Sequence, residues 1–402
     1  MNFIQNKNLV IVFTLGVSLL KWQQQGIITR ELEIYKWYKR DGWKITFISY
    51  GNSEDKAIIK NYFNSEYHVI PLRNDSYFGN IGKNNQYINI IYSFKAIILL
   101  LKKKDQINII KSAQLYGCWV CAIFSFLTKK PWLSRTGYDF FKFLPFEITN
   151  KNHFIKSLKI KFLKNVHLFF AKIANVMIVS SEEDFLNTKK WFKGKLIINK
   201  NWIYIPKIIN NDFKIKIKNF KTKEIKKLII VGRLENQKRI DIAIDAINKS
   251  KNTFYLDIYG KGSKKSFLEK KLREDTPSKI KFMGSCENKK LLKKMISYHV
   301  LISTSEIEGT PKVILEAMAS GLIVVARNCA GNRELIKNNQ NGFLFNNSYE
   351  LLQILEDLNS LTEIKIENIL KINYFKILNE HCLENFSKLE ISLANHLLNY
   401  TK

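Results

Sequence analysis

Glu308 and Glu316 bracket the segment Glu308-Gly309-Thr310-Pro311, Lys312 to Leu315, then Glu316-Ala317-Met318-Ala319-Ser320-Gly321. Its chemistry follows from helix geometry. Thr310 is placed to cap a helix and Pro311 to open it, where a missing N–H costs nothing. Gly321 supplies the stop. The free N–H groups and partial positive charge of such a helix start form a seat for an anion such as phosphate. Glu308 falls in the loop before the helix, and Glu316 inside it, about five residues and roughly 7–8 Å along the axis from its start at Pro311. Two carboxylates flanking an anion seat suit a ligand with hydroxyls on both sides of a diphosphate, such as a nucleotide sugar. The same pair also reads as an exposed loop glutamate and a solvated helix glutamate.

Cationic chemistry lies upstream. The turn Gly232-Arg233-Leu234-Glu235-Asn236-Gln237-Lys238-Arg239 follows the apolar run 227–231 and precedes a helical pattern from Asp241 to Lys249. This places Arg233 and Lys238 at the carboxyl edge of a sheet. Arg offers a planar fork for phosphate oxygens and Lys a mobile point charge. Together they can neutralise a diphosphate leaving group as its charge develops, or they form a solvated basic turn. Gly260-Lys261-Gly262 permits close backbone approach to a ligand or is a simple turn. It lacks the third glycine of a dinucleotide fingerprint. Phe282-Met283-Gly284 ends another strand and can flank a base, or is a plain strand end.

The elements that must position these residues alternate along the whole chain. Strand patterns at 9–15, 43–49, 67–72, 107–111, 132–135 and 176–180 are separated by helical spacing at 27–40, 87–101 and 115–127, and by a helix opened by Ser181. A lysine-rich stretch, 206–227, looks like a connector. A second series then runs through strands at 227–231, 255–259, 280–283, 300–303 and 322–326. Such alternation is the mark of parallel sheets with helices on both faces. The expected class is α/β, two doubly wound Rossmann-like domains, with ligand at the carboxyl ends of the strands in the cleft between them.

Composition narrows the setting. The 402 residues suffice for two or three domains, and 46% hydrophobic with 25% charged residues is ordinary for a globular chain. The 65 basic against 35 acidic residues, net +30, are not ordinary and imply an anionic partner: nucleic acid, an acidic membrane surface or phosphorylated substrates. No nucleic-acid module or aromatic stacking motif accompanies the charge, so nucleic acid is not expected. Five scattered cysteines form no disulfide framework, and Cys118-x-x-Cys121 lies in an apolar run that reads as a buried helix, suiting a reducing cytosol. The apolar stretch 9–20 is too short to span a bilayer, which takes about 20 residues. No small-residue cleavage site follows it, so it reads as a buried first strand ending in a turn at Gly16.

Taken in order, Gly232-Arg233-Leu234 with Lys238, Gly260-Lys261-Gly262, Phe282-Met283-Gly284 and Glu308-Gly309-Thr310-Pro311…Glu316-Ala317-Met318-Ala319 resemble the motifs of the retaining GT-B glycosyltransferases of family 4, the glycosyl transferases group 1. Ala330-Gly331-Asn332-Arg333-Glu334 and Asn341-Gly342-Phe343 resemble the family's closing elements, and the detailed match covers residues 226–346. The resemblance implies a GT-B fold: an acceptor-binding domain over 1–204, a nucleotide-sugar domain over 205–375, and a helical segment, 376–402, that crosses back to the first domain. It implies that Arg233 and Lys238 hold the donor diphosphate and that Glu308 lies near the donor sugar. It further implies that Gly309, Thr310 and Pro311 face sugar and phosphate through their backbone, and that Glu316 binds the ribose hydroxyls. Arg233, Lys238 and Glu308 are the implied catalytic residues, with Gly16, Gly232, Gly260, Gly262 and Met283 completing the donor site. The family retains configuration at the anomeric carbon and needs no divalent metal; no cofactor is implied beyond the nucleotide-sugar co-substrate, and the sequence has no Asp-x-Asp.

The amino-terminal half departs from the pattern. Only Gly16 stands where relatives carry paired glycines, and Arg135-Thr136-Gly137-Tyr138-Asp139 puts Thr136 where a histidine falls in many of them. Thr136, Gly137, Tyr138 and Asp139 are the acceptor-side candidates, with Asp139 either orienting an acceptor hydroxyl or serving structure. In a front-face retaining reaction the departing phosphate itself takes the acceptor proton, so a histidine is not obligatory. Asn199-Lys200-Asn201-Trp202 resembles the family's interdomain turn, with Lys200 replacing proline. Residues 153–173 form a basic amphipathic stretch that either lies in an anionic membrane interface or packs as a core helix with lysine edges. The resemblance and the charge together imply a glycan or lipid-linked saccharide acceptor. The setting they imply is the cytoplasmic face of the inner membrane, as a peripheral protein of bacterial surface polysaccharide or lipopolysaccharide synthesis. Two other classes fit the residues: a non-catalytic sugar-nucleotide-binding protein and a basic membrane-associated scaffold.

Overall fold

Two all-parallel sheets carry the chain, and the order of their strands decides where a ligand can sit. The structure is a computed structural model that describes residues 7–63, 67–73, 86–136, 153–205 and 210–399. Contacts divide it into one unit of Met1–Lys200 with Glu384–Lys402 and a second of Asn201–Leu383.

The first unit alternates β1 (Lys7–Val12), α1 (Leu19–Gln24), α2 (Ile28–Arg40), β2 (Trp43–Ser49), α3 (Glu54–Phe63), β3 (His68–Pro71), α4 (Gln86–Lys102), β4 (Ile109–Ser112) and α5 (Trp119–Thr128). It continues through β5 (Trp132–Thr136), α6 (His153–Ala171), β6 (Val176–Val179), α7 (Glu182–Lys189) and β7 (Lys195–Ile198). The seven strands run in the order β3-β2-β1-β4-β5-β6-β7. Leu9 to Val12 are buried on both faces, as a central parallel strand requires. The first strand ends earlier than the apolar run, and Gly16 takes a left-handed φ of +73° in the turn beyond it. Helix α5 starts four residues later than its spacing predicts, because Gly117 at φ +88° holds the preceding segment in a turn. Cys118 and Cys121 are buried there, and burial pushes the Cys118 thiol up to about 12.

In the second unit the lysine-rich stretch taken for a connector is largely a helix, α8 (Asn210–Thr222). Phe213, Ile217 and Phe220 recur at helical spacing and are buried, so three apolar residues among many lysines suffice to dock it. Then follow β8 (Lys226–Val231), α9 (Ile240–Lys249), β9 (Phe254–Tyr259), α10 (Lys265–Glu269), β10 (Lys279–Gly284), α11 (Asn288–Met295) and β11 (Val300–Ser303). The unit closes with α12 (Lys312–Ala319), β12 (Ile323–Arg327), α13 (Ala330–Leu335), β13 (Phe343–Phe345), α14 (Ser348–Asp357) and α15 (Glu363–Glu380). Its strand order is β10-β9-β8-β11-β12-β13. The order reverses between β8 and β11, and a crevice opens at the carboxyl ends of strands at such a switch point.

The last helix, α16 (Leu383–Asn399), belongs with the first unit. Glu390 on it is fully buried; it receives hydrogen bonds from the Lys111 ammonium and from the Tyr38 hydroxyl at 3.1 Å, and Arg135 lies at 3.5 Å. Burial lowers the Lys111 pKa against the opposing pull of Glu390. Among the described residues no helix is long and apolar enough to cross a membrane.

Candidate functional site

Two loops meet at the β8/β11 switch point. The first, after β8, carries Gly232, Arg233 and the short 3-10 turn Asn236–Lys238; the second, after β11, carries Thr304 to Pro311. They are laced together by backbone-directed bonds. Gln237, buried, donates from Nε2 to the Ile307 carbonyl at 2.7 Å, the Glu306 N–H donates to the Gln237 carbonyl at 3.0 Å, and the Thr304 hydroxyl donates to the Lys238 carbonyl at 2.6 Å. Lys238 Nζ reaches Glu308 Oε1 at 2.5 Å, with 19% and 10% of the two side chains exposed.

This pairing settles how the basic turn is divided. Arg239 takes a left-handed φ of +42° and spends its guanidinium on Asp241 and, at 2.9 Å, on Glu306. Lys238 is shared with Glu308. The Arg233 side chain is exposed and makes no hydrogen bond or ion pair among the described residues, so its fork remains available to a ligand. Gly232, Lys238, Ser303 to Ser305, Glu308 and Val313 line one small cavity of about 10 Å³. A larger cavity, about 380 Å³, is lined by Lys227, Tyr255, Lys279 and Lys281 at the amino ends of the strands. Size favours the latter; the meeting of charge, loop and helix start favours the former, and that decides where chemistry belongs.

Helix α12 starts one residue later than its sequence predicts. Pro311, not Thr310, is the cap residue, and no side chain closes the end. Thr310 is instead buried, its carbonyl accepting from Asn201 Nδ2 at 3.3 Å. At the other end the stop falls as expected: Gly321 sits at φ +72°, with Gly321 N–H to Met318 O at 3.2 Å and Leu322 N–H to Ala317 O at 3.0 Å. Those two bonds form the paired closure that satisfies the last carbonyls of a helix.

Neither glutamate is the solvated residue of the bland alternative. Glu316 is 3% exposed and accepts from Asn288 Nδ2, at the start of α11, at 2.8 Å. A carboxylate taken out of water needs such donors. Asn288 Oδ1 is itself buried without a partner.

The glycines of 260–262 answer to packing between turns. A Cβ on Gly260 would meet the Gly232 carbonyl oxygen at 1.8 Å, and one on Gly262 the Leu234 carbonyl oxygen at 2.4 Å. Leu234 N–H donates to the Lys261 carbonyl at 3.0 Å, so the Gly260 turn backs the cationic turn. Gly331 plays the same part for the second loop, where a Cβ would meet the Gly309 carbonyl oxygen at 1.7 Å. Met283 is 43% exposed at the end of edge strand β10. The sequence shows Gly331, Asn201 and Gln237 only as parts of motifs and gives no sign of Asn288. A long-range backbone contact leaves no periodic signal, though Asn201 stood in a recognisable turn.

In the first unit, Gly16 follows β1 at that sheet's own switch point, beside β4, and a Cβ on it would meet Asn89 at 2.6 Å. Thr136 ends β5 and is buried; Gly137, Tyr138 and Asp139 lie outside the described residues. His167 is buried, accepts from the Gly117 N–H at 3.3 Å and has its pKa lowered by burial, a structural histidine.

Two Rossmann-like units with a cationic turn, an acidic loop and a helix start at a switch point define a GT-B protein. Residues 211–370 match the family model of the glycosyl transferases group 1. Over 128 residues the chain is 34% identical to the GtfA subunit of a UDP-N-acetylglucosamine–peptide N-acetylglucosaminyltransferase of Limosilactobacillus reuteri, covering 31% of this chain and 24% of that protein. It is 31% identical over 123 residues to the lipopolysaccharide 1,6-galactosyltransferase of Salmonella typhimurium, 29% of this chain and 34% of the relative. The matches thus span about a quarter to a third of these relatives' length. Among solved structures, Anabaena HepE in complex with UDP and glucose superposes with a TM-score of 0.70 at 18% identity, over 97% of this chain and all of that one.

Proposed function

We propose that the chain is a retaining glycosyltransferase that moves a sugar from a nucleotide-diphosphate sugar to a glycan or lipid-linked acceptor. The observation that carries this reading is the meeting of Lys238, Glu308, Gly232 and the first turn of α12 around one cavity at a switch point, with the Arg233 guanidinium open beside it. The diphosphate sits against Arg233, Lys238 and the N–H groups of Gly309, Thr310, Lys312 and Val313, where cations and a helix start stabilise negative charge. Glu308 faces the sugar and Glu316 the ribose. The bond from the anomeric carbon to the diphosphate oxygen breaks, the acceptor oxygen bonds to that carbon on the same face, and the acceptor proton passes to the departing phosphate. Arg233 and Lys238 do the neutralising that a metal does elsewhere, so chelator is expected to leave the rate unchanged.

The names of the relatives support a uridine diphosphate sugar as donor and bacterial surface polysaccharide or lipopolysaccharide synthesis as setting. The net charge of +30 supports work at the cytoplasmic face of an anionic membrane. A thermal-shift screen across nucleotide sugars tests the donor site, because a ligand that binds only the folded state raises Tm by mass action. No shift with any nucleotide sugar sinks the reading. Thr136 at the end of β5, where many members carry histidine, favours a second reading, a sugar-nucleotide-binding protein without turnover. A Tm shift without glycoside product, over a panel of saccharide acceptors, selects it.

A further inference from the structure

We propose that the helix layer α4–α5–α6 of the first unit is a docking face for an anionic lipid bilayer. This rests on the membrane setting proposed above only for its occupant, and not on the donor site.

Helix α4 is inverted relative to an ordinary surface helix. Two of its polar residues point inward: Ser93 is buried against the Tyr50 hydroxyl at 2.9 Å, and the buried Asn89 accepts through Oδ1 from Arg73 at 2.9 Å. Its outward stripe is apolar, with Ile91 67%, Phe94 61% and Ile98 54% exposed, at i, i+3 and i+7. A helix apolar on both faces normally has something covering each of them.

Helix α6 repeats the pattern with charge added. Leu158, Phe162 and Phe169 are exposed along one stripe, flanked by exposed Lys159, Lys161 and Lys164. Helix α5 packs between α4 and α6 and ends in exposed Phe126 and Leu127, followed by Lys129 and Lys130. None of the three helices contains an acidic residue. Large exposed apolar side chains elsewhere are spread over many elements, whereas here they are gathered on three adjacent helices, and gathered exposure marks an interaction surface. Charge complementarity selects the occupant: apolar side chains enter the acyl boundary while lysines meet anionic headgroups.

Co-sedimentation of the full chain with phosphatidylglycerol-containing vesicles at low salt tests this. The protein is expected to pellet, with partition at least about tenfold weaker on pure phosphatidylcholine and at least about tenfold weaker for the double variant Phe94→Glu/Phe162→Glu. Both side chains are exposed, so the variant should melt as the wild type does and keep the nucleotide-sugar Tm shift. Wild type staying in the supernatant with anionic vesicles, or a variant that pellets equally, overturns the proposal. So does self-association that the double variant abolishes in a chain that binds no vesicle, which makes the face an interface between copies. Loss of the nucleotide-sugar shift in the wild type would sink the donor site and leave vesicle binding untouched.

Discussion

At the residue scale, the Lys238–Glu308 pair is the centre of the site, and its geometry sets what substitution does. On the proposed function, a diphosphate arriving at Lys238 competes with Glu308 for the same ammonium, and removing Lys238 takes away leaving-group stabilisation. Lys238→Ala or Arg233→Ala is expected to lower kcat by on the order of 10²–10³, the usual cost of one oriented charge-stabilising donor; initial rates of sugar transfer measure it. Glu316→Gln should act differently, raising donor KM by about tenfold with kcat little changed, since a ribose contact is made equally in ground and transition states. Equal rates in all three variants would remove the proposed site. Elsewhere, Glu390 is the residue on which most depends. Glu390→Ala leaves Lys111 buried without its counter-charge and is expected to cost about 3–5 kcal/mol in urea unfolding, whereas Lys111→Met/Glu390→Leu together should cost far less. Glu308 and Glu316 were legible in the sequence because they stand in a local motif with a helix start between them. Asn288 and Gln237 were not, because each is defined by a partner 28 and 70 residues away, on a different element.

At the element scale, apolar patterning located nearly every strand, β11 to the residue because a strand buried on both faces is a short apolar run, and β2 to the residue because Trp43, Ile45 and Phe47 alternate with Lys44 and Thr46. It failed at α8, where lysines conceal a narrow stripe, and at the start of α5, where a glycine turn inside an apolar run carries no hydropathy signal. Capping geometry is finer than composition can predict: Thr310 is a preferred cap type, yet its carbonyl is taken by Asn201 and the helix begins one residue on. The amino ends of the second sheet carry a pH-dependent contact. His299, just before β11, accepts from the Lys227 N–H through Nδ1 at 2.8 Å, and burial together with the lysines around it lowers its pKa to about 4. The unfolded chain binds a proton near the ordinary 6.5 while the folded chain does not, so the contribution of His299 is complete above that value and is lost as pH falls toward 4. A drop of a few kcal/mol at most across this window is expected in urea unfolding, and His299→Asn should flatten the slope. An unchanged slope in the variant would assign the acid sensitivity to other groups.

At the scale of the whole molecule, two sheets of seven and six parallel strands repeat one architecture, and among the described residues the second places Lys238 and Glu308 at its switch point. The second unit's site was readable because the detailed motif match fell over residues 226–346, where the family match also lies. The first unit is assembled from two separated stretches of sequence, with the whole of the second unit between them. Removing residues 384–402 is therefore expected to leave the first unit unstable, seen as rapid cleavage of 7–200 in limited proteolysis while 201–383 resists; a protected first unit would show that α16 is dispensable. The order of synthesis gives this arrangement a further meaning. A ribosome delivers β4 nearly three hundred residues before Glu390, so Lys111 waits through most of translation for its counter-ion. The amino-terminal half can finish folding only after Glu390 has emerged, and a message cut short anywhere upstream of it yields a product that cannot pass as native.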